Sequence, residues 1–157
     1  MRILVCSDSH RRPGNIRRAL QAVPQARDVF FLGDDCADLK EILPDYPDRV
    51  FHCVAGNCDF FPTAPLFDEV KIGSERIFYT HGHCFGVKEG TGRLLAEAKK
   101  RGCRIALFGH THIPLLSYED GVYLVNPGSL SRPRNSEKTF AVLDFLSGSI
   151  LPSIHPL

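Results

Sequence analysis

Short apolar runs, each closed by turn-forming or polar residues, dominate the chain. Ile3–Cys6, Val29–Leu32, Val50–Val54, Ile77–Tyr79, Ile105–Phe108, Val122–Val125 and Phe140–Phe145 are rich in Val, Ile and Phe, which predicts buried strands. Val70–Ile72 and Ile77–Tyr79 flank Gly73-Ser74-Glu75-Arg76 and read as a hairpin. Leu115–Glu119 and Val122–Val125 read as another, around the Asp120-Gly121 pair that supplies the positive φ of a tight turn. Helical spacing is rarer. Ile16, Ala19, Leu20 and Val23 share a face, with Pro13 suited to the first turn and Pro24 ending the pattern. Leu39, Ile42 and Leu43 predict a short helix stopped by Pro44. Thr91, Leu94, Leu95 and Ala98 predict a third, with Lys99, Lys100 and Arg101 against its dipole and Gly102 as its stop.

Three helices cannot cover both faces of one wide sheet, yet strands this apolar need both faces buried. The pattern therefore predicts an α/β fold in which two sheets pack face to face with helices outside. No repeat, low-complexity tract or linker interrupts the 157 residues, so 1–157 reads as one domain. The composition is near the globular average, which excludes disorder, collagen and coiled coil. A formal charge of +1 gives no general pull toward nucleic acid or an anionic membrane. No apolar run approaches the roughly 18 residues of a spanning helix, and the short N-terminal run lacks a cleavage-type site. The expectation is a cytoplasmic protein whose six cysteines (Cys6, Cys36, Cys53, Cys58, Cys84, Cys103), none in a CxxC pair, are reduced thiols.

The polar residues that follow the strands change the picture. Ile3–Cys6 runs into Asp8-Ser9-His10, Val29–Leu32 into Gly33-Asp34-Asp35, and Val50–Val54 into Gly56-Asn57-Cys58-Asp59. Ile77–Tyr79 runs into His81-Gly82-His83, and Ile105–Phe108 into Gly109-His110-Thr111-His112. Carboxyl ends of strands are where open α/β sheets gather ligand groups. Asp, Asn and His without thiolates suit a first-row divalent metal. Asp8, His10, Asp34, Asn57, His81, His110 and His112 are too many donors for one tetrahedral ion; two ions sharing Asp34 would use them all. In Asp8-x-His10 and His110-x-His112, residues two apart point the same way if the segment is extended. The glycines of these loops let the backbone bend beside a crowded site. Two divalent cations outweigh the two ligand carboxylates and a shared hydroxide, so the centre favours an anionic phosphate ester, attacked in line by that metal-bridging hydroxide.

This series of motifs resembles that of the calcineurin-like metallophosphoesterases, in order and over roughly residues 3–135. Small size, Gly56-Asn57-Cys58-Asp59, Asn126-Pro127-Gly128-Ser129 and Pro133-Arg134 resemble the compact YfcE-type phosphodiesterases. The resemblance implies a four-layer αββα sandwich of two mixed β-sheets flanked by helices, and a binuclear metal site. By motif position, Asp8, His10, Asp34 and His112 hold one ion, and Asp34, Asn57, His81 and His110 the other. It implies two divalent ions, manganese first, with iron, zinc, cobalt or nickel as alternatives. The larger family places His after the motif asparagine, where it assists the leaving oxygen; Cys58 stands here, and a thiol is a weak donor. Cys58 is either a poor substitute or a space-filler, with His83 as another donor.

Asp59 and Asp35 are expected to orient ligands, or Asp35 to cap a helix. His52 and His155 read as structural. Arg11, Arg12, Arg132 and Arg134 flank the loops and are candidates for phosphate binding. Phe60, Phe61, Phe67 and Phe85 either border a cleft or pack, and a homo-oligomer stays open. The expected activity is a metal-dependent phosphodiesterase acting on a small or nucleotide-like phosphodiester. The alternatives are a phosphomonoesterase, or a non-catalytic protein-binding scaffold of the same fold. The near-neutral charge counts against nucleic acid as the partner.

Overall fold

The structure is a computed structural model and describes residues 1–60, 63–134, 137–146 and 148–157. Its strands are β1 (Arg2–Cys6), β2 (Asp28–Phe31), β3 (Val50–Cys53), β4 (Phe67–Ile72), β5 (Glu75–Thr80), β6 (Ile105–Leu107), β7 (Leu115–Glu119), β8 (Val122–Asn126), β9 (Thr139–Leu146) and β10 (Ser149–Pro156). The helices are α1 (Pro13–Ala22), α2 (Cys36–Ile42) and α3 (Gly92–Lys100), with 3-10 turns at Leu43–Asp45 and His83–Phe85. They build two five-stranded mixed sheets, ordered β10-β9-β1-β2-β3 and β4-β5-β6-β8-β7. The expected α/β sandwich is the observed architecture.

Strand alternation decides what each face buries. Ile3, Val5, Phe30 and Leu32 of the first sheet meet Ile77, Tyr79, Ile105 and Leu107 of the second in the central core. The intervening Leu4, Cys6, Val29 and Phe31 face outward onto Ile16, Ala19 and Leu20 of α1 and Leu39 and Ile42 of α2. On the other side, Phe78, Ala106 and Phe108 pack against Leu94 and Ala98 of α3. Both faces of the central strands are covered, as their near-continuous hydrophobicity requires.

Each sheet contains a parallel triplet, β1-β2-β3 and β5-β6-β8. Five of the six carboxyl ends carry the five polar loops, and the sixth, that of β8, carries Asn126-Pro127-Gly128-Ser129. Pro13 opens α1 as expected, and Asp120 (φ 49°) with Gly121 (φ 84°) makes the tight turn between β7 and β8. Two elements differ from expectation. Helix α2 starts at Cys36, so Asp38 lies within it. Strand β10 is additional, pairing along its whole length with β9 alone; its edge position tolerates Pro152 and Pro156, which a central strand would not. Among the described residues, no helix is long and apolar enough to cross a membrane.

Candidate metal centre

The loops after β1, β2 and β6 bring one donor set together. One ligand atom each from Asp8, His10, Asp34 and His112 lies within 4.8 Å of the others. His112 Nε2 is 2.9 Å from Asp8 Oδ1, and His10 Nε2 is 3.2 Å from His112 Nε2, 3.8 Å from Asp8 Oδ1 and 3.9 Å from Asp34 Oδ2. Asp8 and Asp34 are buried. The loops after β3 and β5 bring a second set to the other oxygen of Asp34. His81 Nε2 is 3.4 Å from Asp34 Oδ1 and 3.2 Å from Asn57 Oδ1. The His110 ring lies beside it, centroid to centroid 5.0 Å.

Backbone acceptors fix two ring orientations. His81 Nδ1 donates to Leu32 O (2.7 Å) and His112 Nδ1 to Arg132 O (2.6 Å). In each neutral ring this leaves the Nε2 lone pair facing the carboxylates. His112 Nε2 and Asp8 Oδ1 then oppose each other as two acceptors, and buried Asp8 Oδ1 has no hydrogen-bond donor among the described residues. Only a cation reconciles that arrangement. A proton serves when no ion is bound, and the contact with Asp8 indeed raises the basicity of His112. Burial opposes ionisation of Asp8, but His112 once protonated, together with the charge of His81, holds its carboxyl below the usual range. Burial and neighbouring His81 push His110 down to about 4, so its ring is neutral at neutral pH. The residues fit a divalent ion.

The route to this convergence differs from the extended segments expected. Asp8, His10, Arg11, Asp34, Asp35, His110 and His112 are all left-handed, with φ between 44° and 79°. The donors meet by tight turning rather than by strand alternation. Asp8 and His10 do converge on one set, whereas His110 and His112 part to different sets. Gly56 and Gly109 serve by lacking a side chain rather than by bending the chain: a Cβ at Gly56 would overlap Asp34 Oδ1, and one at Gly109 would overlap Ser7 Oγ.

Asp59 points away from the donor atoms. Its carboxylate accepts the backbone N–H groups of Asp34 (2.9 Å), Asp35 (3.1 Å), Cys36 (2.6 Å) and Gly56 (2.8 Å), tying the β2 and β3 loops together. Asp35 occupies the N-cap position of α2, yet its side chain caps nothing; it lies 4.0 Å from His10 Nδ1. The Cys58 backbone N–H donates to Asp34 Oδ1 (2.9 Å), while burial and Asp34 push its thiol up to about 11. His83 stands beside His81 (5.4 Å between centroids) and His110 (6.1 Å). Burial lowers its basicity, and its Nδ1 has no partner among the described residues.

Arg11 and Arg132 line a cavity of about 300 Å³ with His10, Asp35, Cys58 and Phe60, and Arg12 borders the adjoining space. Arg134 lies on the far side of the His110–His112 loop. Phe67 and Phe85 pack edge-on against Phe78 or each other, and Phe61 lies outside the described residues. His52 binds Asp28 (3.0 Å) and stacks on Phe30, while His155 stacks on Phe140. All six cysteines are free thiols.

Two supporting residues were missed in the sequence. Buried Asp38 accepts the Ser9 hydroxyl (2.7 Å) and the Arg12 N–H (2.8 Å), anchoring the β1 loop. Its signal was positional: Asp38 and Ile42 share a helix face at i, i+4. Buried Asn126, which the sequence marks only as part of the Asn126-Pro127-Gly128-Ser129 motif, donates to Gly109 O and Thr111 Oγ1 (both 3.0 Å) and fixes the His110–His112 loop.

Comparison with known proteins agrees with this geometry. Residues 1–148 match the family model of the calcineurin-like phosphoesterase superfamily domain. The chain is 31% identical over 148 residues to the probable metallophosphoesterase YsnB of Bacillus subtilis, covering 91% of this chain and 83% of that protein. It is 27% identical over 169 residues to the phosphodiesterase YfcE of Escherichia coli, covering 92% and 88%. A crystal structure of a predicted phosphoesterase from Streptococcus pneumoniae superposes with a TM-score of 0.84 at 29% identity, covering 98% of this chain and 87% of that one. A strand-end cluster of Asp, Asn and His donors thus sits on the fold of these relatives: the chain belongs to the calcineurin-like phosphoesterase superfamily, in its YfcE-type group of small metallophosphoesterases.

Proposed function

We propose that the protein is a metal-dependent phosphodiesterase acting on a small or nucleotide-like phosphodiester, with two divalent ions, manganese first, sharing Asp34. The observation that carries this reading is the placement of Asp34, whose Oδ2 faces His10 while its Oδ1 faces His81. Asp8, His10 and His112 complete one set of donors; Asn57, His81 and His110 complete the other. Divalent ions held by these residues would supply a water of lowered pKa and positive charge for the phosphate oxygens.

The remaining work falls to the chain. Asp59 keeps the Asp34 and Asn57 loops at fixed separation through its backbone bonds, and Asp38 and Asn126 do the same for the other loops. Arg11 and Arg132, on the cavity beside His10, supply cationic groups for the phosphate, with Arg12 and Arg134 further out. The Cys58 thiol keeps its proton and is a weak donor. His83, beside His81 and His110, is the alternative group to hand a proton to the departing oxygen. Against the protein-binding alternative, every donor position carries a donor side chain.

Chelator-stripped protein reloaded with manganese, iron, zinc, cobalt or nickel tests the reading. It is expected to bind two ions per chain and to hydrolyse bis(4-nitrophenyl) phosphate faster than 4-nitrophenyl phosphate. Faster turnover of the monoester would favour the phosphomonoesterase alternative. Failure to turn over either ester with any of these metals would overturn the enzymatic reading.

A further inference from the structure

A second cavity, of about 390 Å³, has Thr111 of the His110–His112 loop in its wall. Val87, Phe108, Ile113 and Leu115 give it apolar walls, and Lys88 and Arg134 add two cations. It touches the donor-bearing loops at three points. Thr111, on its wall, lies between two donor histidines in the chain. Val87 packs so closely on Gly82, next to His81, that a Cβ there would meet it at 2.7 Å. The Arg134 N–H donates to His112 O (3.0 Å). Neither cation forms an ion pair among the described residues. Apolar walls beside two cations complement a group that is itself an apolar body with negative charge.

A phosphodiester has two arms, and the centre has two flanking spaces: the polar one of Arg11 and Arg132, and this one. We propose that the Lys88–Arg134 groove holds one arm of the diester and selects an arm in which an apolar ring carries a further anionic group, as in a nucleoside phosphate. This rests on the phosphodiesterase reading, and Lys88, which the motifs do not include, becomes a specificity residue.

Two substrates that differ by one anionic group test it: thymidine 5′-(4-nitrophenyl phosphate), with and without a 3′-phosphate. The manganese-loaded protein is expected to prefer the 3′-phosphorylated form in kcat/KM by about tenfold. Lys88→Ala is expected to cut that preference about three- to fivefold, the range of an exposed charge contact. Leu115→Asp, which brings an acidic group to the wall, should cut it further. A wild-type protein without the preference, or a Lys88→Ala protein that retains it, would overturn the assignment. Calorimetric binding of thymidine 3′,5′-bisphosphate separates this failure from that of the enzymatic reading. Binding that Lys88→Ala weakens, without turnover of either ester, would sustain the groove and remove the phosphodiesterase. Turnover with an unchanged Lys88→Ala preference would do the reverse.

Discussion

Asp59→Asn preserves shape while removing one negative charge, and four backbone amides register the change. In the native loops both Asp59 oxygens accept two N–H groups each. The amide retains one oxygen, so two of those N–H groups face an NH2 that cannot accept. Hydrogen bonds to a charged acceptor contribute roughly 1.5–3 kcal/mol each. Two lost and two weakened, in a half-buried site where neighbouring effects do not add, give a destabilisation of about 2–4 kcal/mol. For a chain of this size each kcal/mol lowers Tm by about 2–4 °C, so a fall of roughly 5–15 °C is expected. Because the freed amides hold the Asp34 and Asn57 loops, manganese affinity should drop about 10- to 100-fold although no donor is touched. Scanning calorimetry of chelator-stripped protein and isothermal titration with manganese provide the two readings. A variant with unchanged Tm and unchanged affinity, but lost turnover, would refute the positioning role and put Asp59 in the chemistry.

Further outcomes are expected at other positions. Asp34→Ala removes the carboxylate common to both donor sets, so hydrolysis should be abolished and calorimetry should find fewer than two ions bound. Gly56→Ala places a methyl against Asp34, and denaturant unfolding should show a loss of about 1–3 kcal/mol, as for other overpacked sites. Cys58→His, which installs a better proton donor, should raise kcat most for diesters with poor leaving groups, so the dependence of rate on leaving-group pKa should flatten. His110 in the fold takes up a proton only near pH 4, against 6.5 for the ordinary group. The unfolded chain therefore binds more protons between those values, and metal-free protein should lose stability as pH falls from about 6.5 toward 4. His112, whose basicity is raised, acts in the opposite sense, losing its contribution as pH rises through its folded value. Urea unfolding across this range, with His110→Gln giving a flatter profile, checks the assignment.

The legible and illegible parts of the fold divide along physical lines. Buried strands such as Ile105–Leu107 announce themselves because both faces are apolar, and α1 because Pro13 and the Ile16, Ala19, Leu20, Val23 stripe agree. Strand β10 hides because an edge strand with one covered face tolerates Pro152, and its alternation of Ile150, Pro152 and Ile154 is weak. The donor set was readable because its residue types recur at strand ends. Their left-handed backbone was not, since that conformation is set by the crowding of one loop on another. Nor was the task of Asp59, whose partners are amides brought from a different strand.

Among the described residues, seven of the eight non-glycine positions with left-handed backbone belong to the ligand-bearing loops, and each sparsely populated conformation costs on the order of 1–3 kcal/mol. Variants selected for heat resistance alone should therefore accumulate glycine at Arg11 and Asp35, the two such positions that are not donors. Selection that maintains turnover should leave both unchanged, making thermal tolerance and catalytic competence rival demands on the same few bends.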